Sequence, residues 1–414
     1  MAVESIAVVG LGYIGLPTAA LFAAAGRQVI GVDINPATVE TINSGRIHIV
    51  EPGLNDIVAA CIREGRLQAT TKAQPADAFL IAVPTPFRSD HTADLQYVRS
   101  ACEAIAPVLK PGDTLILEST CPVGTTEQMV AWLSAARPDL ALPSAQAKDA
   151  TSDIAIAYCP ERVLPGNVLV ELVRNDRVIG GISPACAAAA KAVYETFVQG
   201  ECLLTDARTA EMCKLTENAF RDVNIAFANE LSLVCDRLGI DVWSLIALAN
   251  RHPRVNILRP GPGVGGHCIA CDPWFIVSSA PDQAQLIRTA REVNDGKPRW
   301  VVRQITMAID RLDGSPAARP VLACYGLSFK ADIDDLRDSP ALAIAREIAS
   351  EDRCSLLIVE PHVVSLPTGL EHAKLVSIEE ASQADIHVLL VDHSDFKKMR
   401  PPAGVRIDTR GIGW

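Results

Sequence analysis

The sequence predicts an α/β protein in which two sheet-forming regions flank a long helical region. Short apolar, β-branched runs alternate with helix-like stretches near both ends of the 414-residue chain. This alternation is typical of parallel sheets covered by helices on both faces. Between the two regions, apolar residues recur at spacings of three and four, as they do in long helices. We therefore predict two Rossmann-like parallel-sheet domains joined by a long central helix and a helical dimerisation region.

The overall composition is that of a folded, globular protein. The chain is 49% hydrophobic and 21% charged, with a formal net charge of -11. This acidic balance argues against nucleic acid or an anionic membrane surface as partners. Glu4, Pro17 and several glycines interrupt the apolar N-terminal stretch, so we predict neither a signal peptide nor a membrane span there. The 12 cysteines have no regular spacing, which favours reduced thiols and a cytoplasmic location.

The first predicted strand leads into a dinucleotide fingerprint. After "IAVVG", the glycines Gly10, Gly12 and Gly15 have G-x-G-x-x-G spacing, and a helix of small residues follows. Gly10 permits a tight turn, Gly12 lets the backbone approach a pyrophosphate, and Gly15 lets the helix pack on the strand. The N-terminus of the helix supplies unpaired N–H groups and a positive dipole for the phosphates. The alternative interpretation is a structural glycine turn that binds no nucleotide.

The second predicted strand favours NAD as the nucleotide. "QVIGVD" ends at Asp33, about 20 residues after the glycines. A carboxylate at this place accepts both ribose hydroxyls and repels a 2′-phosphate. The sequence therefore predicts NAD rather than NADP.

Three more predicted strands end in polar or proline-marked turns. "AFLIAVPTP", "TLILEST" and "IAIAYCPER" lead to Thr85, Thr120 and Glu161. Ligands lie at the carboxyl ends of parallel strands, so we expect these residues on the cofactor and substrate side. Taken singly, each could also be a helix cap or a turn residue.

The central region begins with a long predicted helix, "DARTAEMCKLTENAFRDVNIAFANELSLVCDRLGI". Lys214, Asn218 and Arg221 fall on one face of it. This polar stripe is either a solvated face or the lining of a cleft, and the helix could also form a subunit interface.

The C-terminal region repeats the strand pattern without the fingerprint. "RPVLACYGLSFK", "CSLLIVEPH", "DIHVLLVDHS" and "VRIDTRG" are predicted strands, but "CYGLSFK" lacks the glycine spacing. We expect this domain to bind a different ligand. Lys330 and Arg337, in the turn after its first strand, either face that ligand or are solvated loop charges.

The stretch "GPGVGGHCIACDPWF" contains the candidate nucleophile, Cys268. Cys268 and Cys271 form a C-x-x-C pair. A zinc site would need a second pair of ligands, which the sequence does not offer at a suitable spacing, and haem attachment needs the His after the second Cys. No metal is therefore predicted. A nucleophilic thiol beside NAD suits the oxidation of an alcohol to a carboxylate: the thiol traps the aldehyde, and a second hydride loss gives a thioester that water cleaves.

Six stretches together resemble the UDP-glucose/GDP-mannose 6-dehydrogenase family, and the resemblance extends over the whole chain. They are the glycine fingerprint, "STCPVGTTE", "CPERVLPG", "AEMCKLTENAF", "GVGGHC" with Asp272, and "GLSFK" with Arg337. The resemblance implies a NAD-binding domain over residues 1–202, a central helical region with the catalytic cysteine loop over 203–312, and a UDP-sugar-binding domain over 313–414.

Two further stretches are similar to one branch of this family. "NRHPRVNILRPGPGVGGHCIACDPWF" and "HIVEPGL" resemble the branch that oxidises UDP-N-acetyl-D-mannosamine at C6, for bacterial surface polysaccharides such as enterobacterial common antigen. Pro165 and Cys271 stand where the UDP-glucose branch carries glutamate and lysine. The alternatives are oxidation of UDP-glucose or UDP-N-acetylglucosamine, a single-step hydroxyacid dehydrogenase, and a non-catalytic NAD-binding redox sensor.

The resemblance also implies roles for individual residues. Cys268 would be the nucleophile, Lys214 the general acid/base and Asn218 an oxyanion partner, while Glu161, Thr120 and Asp272 would manage water and protons. NAD would contact the fingerprint glycines together with Tyr13, Ile14, Asp33, Thr85, Thr126 and Arg337. The UDP-sugar would contact Lys214, Asn218, Arg162, Val163, Arg221, His252, Arg254, Gly265, Phe329 and Lys330. A proline-bent loop carrying His252 and Arg254 is expected to reach the partner's site in a homodimer.

Overall fold

The computed structural model describes residues 3–88, 90–145, 151–163, 166–266, 268–312, 319–400 and 402–414. The chain divides into two compact units, of which the first comprises Met1–Glu217 with Trp274–Ser279 and the second Asn218–Pro273 with Ala280–Trp414. The predicted boundary at residue 313 lies outside the described residues, and the three predicted domain ranges remain predictions.

The first unit contains an eight-stranded sheet in the order β3-β2-β1-β4-β5-β6-β7-β8. The strands are β1 (Ser5–Val9), β2 (Gln28–Val32), β3 (Leu67–Thr70), β4 (Ala78–Ile81), β5 (Thr114–Leu117), β6 (Ala155–Tyr158), β7 (Arg177–Gly181) and β8 (Cys202–Asp206). Strands β1 to β6 are parallel, as predicted, and their order reverses between β1 and β4. β7 instead runs antiparallel to β6.

Helices cover both faces of this sheet. They are α1 (Gly15–Ala24), α2 (Pro36–Asn43), α3 (Leu54–Arg63), α4 (Gln96–Ile105), α5 (Thr125–Ala136), α6 (Val168–Arg174) and α7 (Pro184–Tyr194). Alternate residues of β1 serve the two faces: Ile6 and Val8 belong to one apolar core and Ala7 and Val9 to the other. A strand that is buried on both faces must be apolar at every position, which is why "IAVV" shows no alternation.

The central region is helical, as predicted. Its helices are α8 (Ala207–Leu238), α9 (Val242–Ala249), α10 (Asp272–Ser279) and α11 (Gln285–Leu312). α8 is a continuous helix of 32 residues. Among the described residues, none of the helices combines the length and the apolar character that a membrane span requires.

The second unit carries a smaller parallel sheet in the order β11-β10-β9-β12-β13. Its strands are β9 (Val321–Tyr325), β10 (Ser355–Val359), β11 (Lys374–Leu375), β12 (Ile386–Leu389) and β13 (Val405–Asp408), with helices α12 (Pro340–Glu351) and α13 (Ile378–Ala381). The four predicted C-terminal strands are therefore present, and the second Rossmann-like domain is confirmed.

Candidate active site

The glycine fingerprint forms the predicted turn between β1 and α1. Gly10 has φ +92°, which a residue with a side chain rarely adopts, and its N–H donates to the Val32 carbonyl at 2.8 Å. A Cβ atom on Gly15 would collide with the Gly10 carbonyl, so Gly15 is needed for the packing of the helix on the turn. A Cβ atom on Gly12 would have no described atom within 4 Å. Gly12 thus borders open space, as expected where a pyrophosphate approaches the backbone.

Asp33, directly after β2, lies beside this turn. One carboxylate oxygen accepts the Leu11 N–H at 3.0 Å and the other accepts the Asn35 N–H at 2.9 Å. The side chain is half-buried, so its oxygens have lone pairs left for a ribose. Ile14 caps α1, and Tyr13 is 45% exposed. The turn and the acid together fit an adenine dinucleotide without a 2′-phosphate.

Thr85 and Thr120 are brought together by the turns after β4 and β5. The Thr85 hydroxyl donates to the Thr120 carbonyl at 2.5 Å. Both turns are at the carboxyl edge of the sheet, where the sequence placed them.

Thr126 is held by a carboxylate that the sequence analysis did not identify. Glu211 of α8 accepts the Thr126 hydroxyl at 2.7 Å, the Thr126 N–H at 2.8 Å and the Gly124 N–H at 2.6 Å. Both side chains are fully buried. Burial raises the pKa of Glu211, while these hydrogen bonds oppose the shift. Glu211 therefore occupies the N-terminus of α5, and contact of Thr126 with NAD stays a prediction.

Glu161 follows β6 and is locked by its neighbours. One oxygen accepts the Arg162 N–H at 2.6 Å and the other pairs with Arg177 of β7 at 2.9 Å. The Arg162 side chain points elsewhere and binds Glu217 at 2.7 Å. Val163 is half-buried, and Pro165 lies outside the described residues.

Glu51, from the "HIVEPGL" stretch, stabilises the start of α6. Its carboxylate accepts the N–H groups of Gly166 at 2.9 Å and Val168 at 2.8 Å, at the start of α6. This buried contact spans more than 110 residues of sequence, so local patterns could not reveal it.

The polar stripe on α8 is not uniformly solvated. Lys214 and Asn218, one turn apart, are each only 9% exposed, whereas Arg221 is exposed. The solvated-face alternative is therefore wrong for the first two residues. In the second unit, Asn218 Nδ2 donates to Asp272 Oδ2 at 2.5 Å, which brings two predicted catalytic residues into contact.

Glycines let the cysteine loop pack closely on the C-terminal domain. A Cβ atom on Gly265 would lie 2.9 Å from Phe329 Cβ and 2.7 Å from Pro340 Cδ, and one on Gly266 would lie 3.0 Å from the Phe329 ring. Gly265 and Phe329 are thus neighbours, and their contact with the UDP-sugar stays a prediction. Farther back, the Gly261 N–H donates to Asn229 Oδ1 at 2.9 Å.

The two cysteines of the loop differ in environment. Cys268 is exposed and Cys271 is buried. Burial, reinforced by the negative charge of Asp272, raises the pKa of the Cys271 thiol to about 12. The Cys268 carbonyl accepts the N–H of Asp272, the first residue of α10, at 2.9 Å. The exposed thiol thus lies one turn from the buried Asp272 carboxylate, and Cys271 is a poor nucleophile at neutral pH.

The remaining predicted substrate and cofactor residues lie on exposed loops. His252, Arg254 and Lys330 are exposed. His252 Nδ1 accepts the Arg254 N–H at 3.3 Å. Arg337 forms a 2.5 Å ion pair with Asp335 two residues earlier.

A group that resembles a metal site occurs in the second unit, where the sequence predicted none. Ligand atoms of Asp332, His362 and His393 lie within 4.8 Å of one another. His393 Nδ1, however, accepts the Asp332 N–H at 2.9 Å, and Nε2 contacts Glu360 at 3.1 Å. Both ring nitrogens are engaged, so this histidine is a structural residue in the observed arrangement.

Comparisons with known proteins agree with this geometry. Models of the UDP-glucose/GDP-mannose dehydrogenase family match the NAD binding domain over residues 4–198, the central domain over 208–296 and the UDP binding domain over 323–412.

Full-length relatives and a solved structure are also similar. An NDP-N-acetyl-D-galactosaminuronic acid dehydrogenase of Ralstonia nicotianae is 61% identical, over 99% of this chain and 96% of the relative. A UDP-N-acetyl-D-mannosamine dehydrogenase of Yersinia pestis is 60% identical over the full length of both chains. The structure of the UDP-D-ManNAc dehydrogenase from Pyrococcus horikoshii is 38% identical with a TM-score of 0.86, over 99% of this chain and 96% of that one. The chain is therefore a NAD-binding oxidoreductase that belongs to the UDP-glucose/GDP-mannose dehydrogenase family.

Proposed function

We propose that this enzyme oxidises the C6 hydroxyl of UDP-N-acetyl-D-mannosamine to a carboxylate in two successive hydride transfers. The observation that carries the proposal is the exposed thiol of Cys268, on a tightly packed glycine loop one turn from the Asn218–Asp272 pair. A dehydrogenase that stops at the carbonyl does not need a nucleophilic thiol. One that proceeds to the acid must hold the aldehyde between the two oxidations.

The atoms balance through a covalent intermediate on Cys268. Lys214 takes the hydroxyl proton as C6 loses its first hydride, which leaves an aldehyde. The Cys268 thiolate then adds to the aldehyde carbon, and Lys214 and Asn218 stabilise the resulting alkoxide. Loss of the second hydride from this carbon gives a thioester, which water cleaves to a carboxylate and the Cys268 thiolate, with the release of two protons to solvent. When bound, NAD would supply the hydride acceptor for both oxidations, so each sugar would reduce two NAD molecules.

The contacts of Asn218 suit an oxyanion partner. Its Nδ2 atom carries two hydrogens, and one of them is committed to Asp272 at 2.5 Å. The bond fixes the amide orientation and leaves the second hydrogen for the alkoxide. Asp272 thereby acts through Asn218. In the hydrolysis step, Asp272 is proposed to work with Glu161 and Thr120 in holding water and transferring protons.

The identity of the sugar rests on the relatives and on the branch-like stretches of sequence. Four relatives named UDP-N-acetyl-D-mannosamine dehydrogenase are 58–60% identical. The 61% identity to the NDP-N-acetyl-D-galactosaminuronic acid dehydrogenase makes the N-acetylgalactosamine nucleotide the second candidate. Both sugars carry a 2-acetamido group, which separates them from UDP-glucose.

A panel of nucleotide sugars tests the substrate. The purified protein is mixed with NAD and the UDP derivatives of N-acetylmannosamine, N-acetylgalactosamine, N-acetylglucosamine or glucose, and NADH and the isolated acid are quantified. We expect the highest kcat/KM with UDP-N-acetylmannosamine and two NADH per sugar. A stoichiometry of one would overturn the four-electron reaction, and a higher kcat/KM for UDP-N-acetylgalactosamine would select the second candidate.

Replacement of the nucleophile tests the mechanism. Cys268→Ser should lower acid production on the order of 1,000-fold or more, because a serine alkoxide is too basic to form without its own base. Binding of NAD, followed by fluorescence titration, should persist. Cys271→Ala is the matched control and should still produce two NADH per sugar. Near-parental turnover by Cys268→Ser would contradict the covalent mechanism.

We further infer a homodimer that forms through α8. Phe220, Phe227 and Val234 follow one another at intervals of seven residues, and Leu238 continues the row; all four are 47–68% exposed. A stripe at this spacing is the pattern by which a helix packs against a second helix, and an isologous contact between two copies would cover it. The exposed loop with His252 and Arg254 is proposed to reach the partner's sugar site, where an arginine suits a pyrophosphate.

Subunit mixing tests the shared site. Cys268→Ser and Arg254→Ala subunits, each inactive alone, should regain part of the activity when they form mixed dimers. A site contained in one chain predicts no recovery. A subunit that carries both changes, paired with a parent subunit, is the converse control: a shared site leaves no intact site in this dimer, whereas a site contained in one chain leaves one. The proposal places this enzyme in the cytoplasm, where its nucleotide-sugar product would supply surface polysaccharide synthesis.

A further inference from the structure

A buried charged cluster lies behind Glu161, and the proposed reaction does not use it. Its members come from separate elements of the first unit: Arg177 begins β7, Glu118 follows β5, Cys159 follows β6 and Tyr194 ends α7. All four side chains are buried. Buried charges are costly unless they are paired, so the arrangement needs an explanation.

Arg177 is fixed on all sides. Nη1 pairs with Glu161 Oε2 at 2.9 Å, and Nη2 donates to the Leu172 carbonyl at 3.3 Å. The guanidinium lies over the ring of Tyr194 at 4.8 Å and over that of Phe197 at 5.9 Å. A planar group held by aromatic faces and by two acceptors has little freedom to rotate.

Glu161 is thereby held at both of its oxygens. Arg177 binds one oxygen and the Arg162 N–H binds the other at 2.6 Å. The guanidinium of Arg162 binds Glu217 at 2.7 Å instead, and the side chain of Glu161 is only 8% exposed. Among the described residues, Arg177 is the cation that pairs with this carboxylate.

The other ionisable groups around Arg177 have raised pKa values. Burial raises the pKa of Glu118 to about 7, although Arg177 opposes the shift, and Glu118 accepts the Tyr194 hydroxyl at 2.6 Å. Burial also raises the pKa of Cys159 to about 12 and that of Tyr194 well above its usual value. Burial works against the charge of Arg177, but Glu161 and the other neighbours outweigh it and raise its pKa. Glu161 is the carboxylate with which the guanidinium forms an ion pair, at 2.9 Å.

We infer that Arg177 is a positioning residue that holds the Glu161 carboxylate in one orientation for its part in the reaction. The inference rests on the proposed function, which gives Glu161 a role in water and proton traffic. A carboxylate that accepts a proton from water has to be correctly aimed when water attacks the thioester. Arg177 meets this condition from a buried position.

The test compares Arg177→Met, Arg177→Lys and the control Arg137→Met. Arg137 also binds a carboxylate, Asp139, and backbone carbonyls of the same unit, at 2.7 Å. Arg177→Met should lower kcat at pH 7 on the order of 100-fold and leave the KM for NAD within about twofold of the parental value. Arg177→Lys should restore part of the rate, and Arg137→Met should change neither kcat nor this KM.

Two further measurements exclude a merely structural effect. In a Glu161→Gln background, Arg177→Met should cause little additional loss of kcat, since the group it positions is already absent. The carboxylate band of Glu161, isolated as the infrared difference between parent and Glu161→Gln, should shift when the same difference is measured in the Arg177→Met background, because the carboxylate loses its ion-pair partner. Thermal unfolding identifies any variant that fails to fold, and Arg177→Lys then carries the test.

The outcomes separate this inference from the proposed function. A parent enzyme that oxidises none of the UDP-sugars defeats the proposed function, while the infrared band still shows whether Arg177 holds the Glu161 carboxylate. A folded Arg177→Met variant with parental kcat and an unshifted carboxylate band would overturn the inference. Additive losses in the double variant would show that Arg177 acts elsewhere.

Discussion

The two sheet domains start in the same way but end in different sites. In the first unit, the chain leaves β1 at Gly10, whose N–H donates to the Val32 carbonyl at 2.8 Å. In the second unit, the chain leaves β9 at Gly326, whose N–H donates to the Val359 carbonyl at 2.9 Å. Each of these carbonyls belongs to the last residue of the neighbouring strand, so the two turns have equivalent backbones.

The equivalence continues at the acid that follows each second strand. Asp33 accepts the Leu11 N–H at 3.0 Å, and Glu360 accepts the Leu327 N–H at 2.7 Å. From there the two sites diverge. Asp33 is half-buried, whereas Glu360 is 4% exposed.

Groups of the chain itself surround the Glu360 carboxylate. It accepts N–H groups from Leu327, Ser328 and His362, and it contacts His393 Nε2 at 3.1 Å. These contacts and its burial make Glu360 less accessible to a ribose than Asp33. The comparison shows that a strand, a glycine and an acid do not make a dinucleotide site unless the acid also retains access to a ligand.

The largest effect is expected from the glycine of the second turn. Gly326→Ala should destabilise the second unit by about 3 kcal/mol, because φ is +91° and the new Cβ would crowd Val391. Gly413→Ala is a matched control, since φ there is +89° and a Cβ atom at this position would have no described atom within 4 Å. Urea unfolding gives both values. Equal losses of unfolding free energy in the two variants would show that crowding contributes nothing. A raised KM for NAD in folded Gly326→Ala would show that the second turn also affects NAD binding, which would contradict the distinction between the two turns.

A smaller, pH-dependent effect is expected from Glu360. Burial disfavours its charge, but His393 and the backbone N–H groups outweigh burial and lower its pKa. The stability from the ionised form is therefore present above the unfolded pKa and is lost as the pH falls through the lower folded pKa. Glu360→Gln should cost about 1–2 kcal/mol at pH 7 and progressively less towards pH 3, measured by urea unfolding. A cost that does not vary with pH would refute the assignment of this stability to the ionised carboxylate.

The smallest effect concerns cofactor choice at Asp33. The parent enzyme should prefer NAD, because a 2′-phosphate would meet the Asp33 carboxylate, and Asp33→Ala should narrow the ratio of kcat/KM for NAD to that for NADP by about tenfold. Steady-state kinetics with each cofactor give the ratio. Glu360→Gln should leave it unchanged. Equal kcat/KM for both cofactors in the parent would remove Asp33 from the ribose site.

The same comparison explains what the sequence could reveal. Strands such as β1 and β9 were predictable because burial on both faces requires unbroken apolar runs. The antiparallel β7 and the edge strand β8 were not predicted: β7 ends in two glycines, and β8 is partly exposed. No local pattern distinguishes such short segments from loops.

The site residues divide in a similar way. Cys268 and Asp33 were predicted as site residues from sequence motifs in which the spacing of the residues has a chemical reason. Glu211 and Arg177, which hold Thr126 and Glu161, were missed because each acts on a residue distant in sequence or on a different element. Buried carboxylates form hydrogen bonds with donors that the tertiary structure brings close to them. The structure was therefore needed to identify Glu211 and Arg177.

The loop that carries Cys268 is anchored before it reaches the cysteine. The Asn250 side chain makes two hydrogen bonds with the backbone of Ile257, at 2.7 and 3.0 Å, and Asn229, itself bonded to Asn294 at 2.8 Å, holds Gly261. These contacts divide one long flexible loop into several short ones. The entropic cost of bringing the two ends of a loop together grows with the length of the loop. In the proposed reaction, the loop would otherwise have to be ordered before each attack on an aldehyde. These contacts order its first part once, when the protein folds, so less ordering would be left for each catalytic cycle.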